Sequence, residues 1–198
     1  MTTHRDEEQR REQILAATAR CVIRLGYHGA TIDAIAREAG LSKGAVYWYF
    51  SDKEEVLVAL SSAVWAANIA TMRSLLARPG PFESFARELG ERFIEITMGK
   101  DDLYRLFFEF WAMGDMSKAL ARTLYQNQRL MEAVVAERVQ VAIDAGELRA
   151  DLDPATVALS YIALFNGLAV RHAFDSKVDA RRCWQQASSS LYRGVAAE

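Results

Sequence analysis

The chain has 198 residues and a formal net charge of −2; 51% of it is apolar, 25% charged and 10% aromatic. That apolar content excludes a disordered chain, which would leave the surface wet, and 11 Gly with 3 Pro exclude collagen-like and low-complexity classes. The near-balanced charge excludes a protein that coats nucleic acid through a broad positive field, while leaving room for a local polar or basic surface.

Apolar residues recur at helical spacing and no alternating run marks a strand, so an all-α protein of about nine helices is expected. The first covers about residues 7–25, with Ile14, Thr18, Cys21, Val22 and Leu25 on one face, and Gly26 ends it. Thr31 caps the next, whose Ile32, Ile35, Ala36 and Ala39 share a face and which Gly40 closes. Ser42 caps a third, short helix; Leu41 can staple onto Val46, and Val46 and Phe50 turn inward. Ser51-Asp52-Lys53-Glu54 has the capping-box pattern and opens a long helix to about Ala77, with Leu57, Leu60, Val64 and Ala67 on one stripe. Arg78-Pro79-Gly80-Pro81 breaks it.

Beyond the break, Phe82, Phe85, Leu89, Phe93 and Ile96 mark a helix over about 82–98, and a further one over about 102–113 is apolar nearly all round. A long helix runs from Ser117 to Ala145 through Leu120, Leu124, Met131, Val135 and Val139, ending at Gly146. Asp153-Pro154 opens another, reaching about Phe174. Asp179 begins the last, with Trp184, Ala187, Leu191 and Val195 in register. Cys21 and Cys183 read as small apolar fillers, and His4, His28 and His172 never fall at metal-ligand spacing, so neither a disulfide, a metal nor a cofactor is expected. No stretch approaches the roughly 18 uncharged apolar residues of a membrane span, and the N-terminus lacks a signal peptide's apolar core. A soluble, cytoplasmic protein is the expectation.

Residues 31–50 form two short helices around the Gly40-Leu41-Ser42 turn, the arrangement of a helix-turn-helix. With Val46 and Phe50 inward, Lys43, Tyr47, Trp48 and Tyr49 cannot all be buried, so a short helix offers solvent a cation and large rings. Duplex DNA accounts for the cluster. Lys43 can reach a phosphate or a guanine edge, Ala45 a thymine methyl, and Gly44 removes a side chain where backbone and DNA would meet. Thr31 and Ser42 suit phosphate oxygens, and Tyr47, Tyr49 and Lys53 add phosphate contacts.

The ordered string Gly26-Tyr27-His28-Gly29-Ala30-Thr31-Ile32, Ile35-Ala36, Ala39 through Phe50, and Lys53-Glu54-Glu55-Val56-Leu57 resembles the N-terminal domain of the tetracycline-repressor (TetR) family. Ala145 through Pro154 and Asn166-Gly167 resemble a segment of that family's regulatory domain. The resemblance implies a homodimeric, all-helical regulator with a helix-turn-helix domain at 1–53 and a helical-bundle ligand-binding and dimerisation domain at 54–198. By it, Thr31, Ser42, Lys43, Gly44, Ala45, Tyr47, Trp48, Tyr49 and Lys53 stand at positions that touch DNA. Tyr49 departs from the pattern, standing where His is common.

An effector cavity is expected among some of Trp65, Met72, Phe93, Phe107, Phe108, Trp111 and Met131, a lining that favours a hydrophobic or aromatic molecule. Tyr161, Phe165, Leu168, Trp184 and Leu191 exceed what one core requires and are expected to meet a second copy. No nucleophile with a nearby base, metal spacing or phosphate loop marks an enzyme. The reading is therefore a repressor that a small hydrophobic effector releases from a palindromic duplex operator. The alternative is a helix-turn-helix dimer controlled by a protein partner or acting architecturally.

Overall fold

The computed structural model describes residues 4–98 and 117–197. Those residues form eight helices: α1 (His4–Gly29), α2 (Ile32–Ala39), α3 (Lys43–Tyr49), α4 (Lys53–Leu76), α5 (Phe82–Met98), α6 (Lys118–Asp144), α7 (Pro154–Phe174) and α8 (Ala180–Val195). The fold is all-α as expected, and the extended backbone among the described residues is an isolated bridge between Leu148 and Ala196. The helix expected at 102–113 lies outside the described residues, with Phe107, Phe108 and Trp111. Residues 4–65 and 117–125 form one compact unit, and residues 66–98 and 126–197 a second.

In the first unit α1 packs on α2 and α2 on α3. Ile14, Ala17, Thr18, Cys21 and Val22 of α1 and Ile32, Ile35, Ala36 and Ala39 of α2 are buried, the faces that their spacing marks. Leu25 departs from that face at 45% exposure. It is the last residue before Gly26 leaves helical geometry (φ 73°, ψ 178°), and the following turn folds back so closely that a Cβ on Gly29 would lie 2.8 Å from its own. Gly40 closes α2 in the left-handed region (φ 66°), with Leu41 N–H reaching the Ala36 carbonyl at 2.9 Å and Gly40 N–H that of Arg37 at 3.2 Å, a Schellman motif. Arg20 (2.7 Å) and then Arg24 (2.8 Å) donate to Glu38, tying α2 to α1 and holding that carboxyl below the ordinary range.

The cap of α4 sits one residue later than the sequence pattern suggests. Asp52 accepts from Glu55 N–H at 2.9 Å, and the Glu55 carboxylate reaches back to the N–H (2.6 Å) and hydroxyl (2.8 Å) of Ser51. The acid three residues past the cap does this job, so once Asp52 caps, Glu55 replaces Glu54. Contrary to the sequence expectation, α4 has the length and apolar character a membrane span requires. Val56, Leu57, Leu60, Ser61, Trp65, Met72 and Leu75 are buried along it.

In the second unit α5, α7 and α8 pack against one another. Phe82 lies 5.9 Å from Phe85 and 5.8 Å from Tyr161, Tyr161 lies 6.2 Å from Trp184, and Phe93 stacks on Phe165 at 4.6 Å. Glu147 accepts the first α5 amide, that of Phe82, at 2.6 Å, while buried Arg138 donates to the Gly80 carbonyl and lies over the Phe85 ring. Asp153 caps α7 through Thr156 N–H (2.9 Å), and Asp179 caps α8 through Arg182 N–H (3.0 Å).

This packing corrects the expectation for a partner face. Trp184, Tyr161 and Phe165 are each at most 2% exposed in the single chain, so the protomer's own interior covers them. Burial also raises the Tyr161 hydroxyl far above its ordinary pKa, and it donates to the Ser188 carbonyl at 3.4 Å. Leu168 and Leu191 are half-buried and keep surface to offer. Cys183, expected as a filler, is exposed, because on α8 it precedes the inward Trp184 by one residue, about 100° around the helix.

Trp184 fits because α5 presents Gly90 beneath it: a Cβ there would lie 1.7 Å from the indole. Gly90→Ala should therefore lower the melting temperature, overpacking of about 1–3 kcal/mol outweighing a helix-propensity gain of at most ~1 kcal/mol. Thermal denaturation checks it, and Gly90→Ala with Trp184→Leu should lose less than the two single variants together.

Candidate nucleic-acid interface

The third helix has seven residues, too few to hold itself in water. Ser42 caps it by accepting Ala45 N–H at 3.1 Å, and Phe50 N–H closes it on the Val46 carbonyl at 3.1 Å. Val46 (0% exposed) and Phe50 (1%) anchor it in the first unit's core. With those two inward, helical geometry turns their neighbours outward, leaving Trp48 81% and Tyr47 47% exposed. Lys43 and Gly44 are exposed, Ala45 and Tyr49 half-buried. The sequence-derived residues from Thr31 to Tyr49 thus cluster on the α2–α3 element, and the large rings at its tip face solvent.

Three details refine the chemistry. The Thr31 and Ser42 oxygens already accept from Ala34 N–H (3.2 Å) and Ala45 N–H (3.1 Å), so each offers a phosphate its hydroxyl proton. A Cβ on Gly44 would meet within the chain only the Ser42 hydroxyl oxygen, at 3.9 Å; nothing in the protein itself demands a glycine there. Lys43 is not free in solution, since its ammonium sits 3.0 Å from Asp33 Oδ1 and 3.2 Å from Oδ2, a pairing that raises the lysine above its ordinary pKa.

Lys53, expected as a phosphate contact, already has partners within the protein. Its ammonium donates to the Tyr27 carbonyl at 2.5 Å and lies 4.4 Å from the Tyr27 ring centroid, with the His28 carbonyl at 3.4 Å. Burial there lowers its pKa. The Tyr27 hydroxyl in turn accepts Ser117 N–H at 3.1 Å, and the Ser117 hydroxyl oxygen accepts Leu120 N–H at 3.2 Å. Tyr27 and Asp33 were invisible as participants in the sequence. Their partners stand 26, 90 and 10 positions away, beyond any periodicity, and only the assumption of a folded helix-turn-helix would have suggested the Asp33–Lys43 pair.

Of the expected effector lining, Met72, Phe93 and Met131 are buried in the second unit and Trp65 in the first; Phe107, Phe108 and Trp111 lie outside the described residues. An open groove of about 720 Å³ in the second unit is lined instead by residues such as Arg73, Arg78, Gly80, Arg138 and Glu147, and includes none of the expected set.

Comparisons with known proteins agree with this architecture. Residues 14–60 match the profile of bacterial regulatory proteins, tetR family, and residues 86–195 that of the BetI-type transcriptional repressor, C-terminal. The chain is 29% identical over 180 residues to the HTH-type transcriptional repressor AcnR of Corynebacterium diphtheriae, covering 86% of this chain and 84% of that one. It is 31% identical over 153 residues to the HTH-type transcriptional repressor Rv1474c of Mycobacterium tuberculosis, covering 73% and 76%. Its fold is similar to that of SmeT, the repressor of the Stenotrophomonas maltophilia multidrug efflux pump SmeDEF, with TM-score 0.78, 23% identity and coverage of 95% and 91%. A SmeT complex with triclosan gives 0.81, 24%, 96% and 93%.

Lys53→Ala should loosen the junction of α1 and α4, costing on the order of 1 kcal/mol after solvent screening, and leave the salt dependence of duplex binding nearly unchanged. Thermal melts and binding titrations at several salt concentrations check both halves.

Proposed function

Because the chain belongs to the tetR family of bacterial regulatory proteins, we propose that it is a cytoplasmic, dimeric repressor that leaves a palindromic duplex operator when a small hydrophobic or aromatic effector binds its helical C-terminal part. The observation that carries the DNA half is the α3 surface: an 81% exposed Trp48 and an exposed Lys43 on a helix whose inner face is fully sealed. A recognition helix meets the major groove with its N-terminal residues, so Lys43, Gly44 and Ala45 read bases while Thr31, Ser42, Tyr47, Trp48 and Tyr49 fix register on the backbone. The reading domain is residues 1–53 and the effector and dimer domain 54–198.

Dimeric heads must meet groove faces roughly 34 Å apart or a multiple of that, so an effector acts by favouring a different separation, to the extent that it binds the two arrangements unequally. The apolar character of Trp65, Met72, Phe93 and Met131 supports a hydrophobic effector, and so does the triclosan complex of the structurally similar SmeT. Exposed Leu159 and Phe174, about 60° apart around α7, support an apolar face for the second copy.

Selection from randomised duplexes tests the DNA half: a preferred, two-fold symmetric site is expected, and retention of no duplex at low salt overturns it. On the selected site Lys43→Ala should weaken binding with little change in the log–log salt slope, as a base contact does; a slope flatter by about 0.9 would assign it to a phosphate instead. Gly44→Ala should leave the melting temperature unchanged or higher and still weaken binding, because the space its methyl would fill is DNA's.

For the effector half, triclosan and other hydrophobic molecules should raise the melting temperature and release the selected duplex while sugars and phosphorylated metabolites do neither. The opposite pattern would overturn the hydrophobic assignment.

A further inference from the structure

The pairing of Lys43 with Asp33 joins the second position of α2 to the first of α3 across the helix-turn-helix turn. Both side chains are more than half exposed, at 52% and 62%, so the pair contributes little to stability. Asp33 also suits the α2 N-terminus through the helix dipole, yet that role is met by a carboxylate in any rotamer and does not require it to reach α3. What the reach does is settle where the Lys43 ammonium points. It also places an anion within about 3 Å of the cation on the surface read as meeting DNA.

We propose that Asp33 is a specificity-determining residue: it holds the Lys43 ammonium in one orientation for a base edge and disfavours binding through phosphates alone. The inference rests on the DNA-facing reading of α3 given above. Two effects act in the same direction. An ammonium has three donor hydrogens, so one can stay on Asp33 while another meets a guanine acceptor, and a lysine already held has less rotamer freedom to lose on reading that base. Against a non-cognate duplex, where attraction comes from phosphates, Asp33 competes for the same cation and its own charge is repelled, both at distances well inside the Debye length of about 10 Å at 0.1 M salt. Of the nearby cations, Arg20 and Arg24 are paired with Glu38, Arg11 lies over the Phe50 ring, Lys53 is on the Tyr27 carbonyl, and Arg37 is exposed in the last turn of α2, so Asp33 is the anion set directly against Lys43.

The test measures affinity of the full chain for the duplex recovered by selection and for a shuffled duplex of the same length and composition, over a salt series. Asp33→Asn, which keeps the size but removes the charge, should bind the shuffled duplex roughly two- to fivefold more tightly. It should bind the selected duplex no more tightly than the parent does, so the ratio of affinities falls. Asp33→Glu should keep the shuffled duplex weak. In a Lys43→Ala background, Asp33→Asn should no longer weaken the selected duplex, because the donor it orients is gone. An unchanged ratio for Asp33→Asn, whether both affinities rise together or neither moves, overturns the inference while the DNA-binding reading stands. A parent chain that binds neither duplex overturns both.

Discussion

The burial of Val46 and Phe50 is the constraint on which the reading surface depends. Seven residues of helix have no stability of their own, and two capping hydrogen bonds do not change that. Two side chains one helical turn apart, sealed in the core of the first unit where α3 packs on α2, fix the helix in both position and rotation. Rotation matters most. The same contact that hides Val46 and Phe50 determines that Tyr47 and Trp48 face water and that Lys43 projects from the N-terminal end. Display of the polar and aromatic residues is therefore a by-product of packing, and the surface needs no stabilisation of its own.

Several charges of the first unit around the helix-turn-helix are engaged within it. Glu38 gathers two arginines, Tyr27 holds Lys53, Phe50 carries Arg11 and Asp33 holds Lys43. Such a unit makes a weak long-range field, in keeping with a chain of net charge −2. On the proposed reading, a DNA acceptor must share or compete with the internal partner that a cation already holds, so affinity is sensitive to geometry.

The local signals in the sequence were legible because they are chemically local. Thr31, Gly40, Ser42, Gly146, Asp153 and Asp179 each act on a neighbour within a few positions, and each marks a helix end in the structure. The one-residue shift of the α4 cap shows the limit, because Ser51 and Asp52 both satisfy the pattern and only the folded turn selects between them. Helical periodicity also located the buried stripes, but a stripe says only that something covers it. For Tyr161, Phe165 and Trp184 the cover is α5 of the same chain, and the clue was Gly90, a small residue whose importance appears only when a ring is seen to rest on it. The internal partner of Lys53 was hidden for a related reason: a lysine near a helix-turn-helix has obvious anions outside, while backbone carbonyls inside leave no trace in composition.

Tyr27 has a consequence for how this protein can be dissected. Its carbonyl and ring engage the start of α4, and its hydroxyl engages the amide just before α6, so three stretches of chain meet on one side chain. A fragment cut after α4 would keep all the residues proposed to face DNA and lose the last of these attachments. Part of what braces this unit is thus encoded about ninety residues downstream, and a graft onto another scaffold leaves that hydroxyl to water unless it supplies a replacement for the amide.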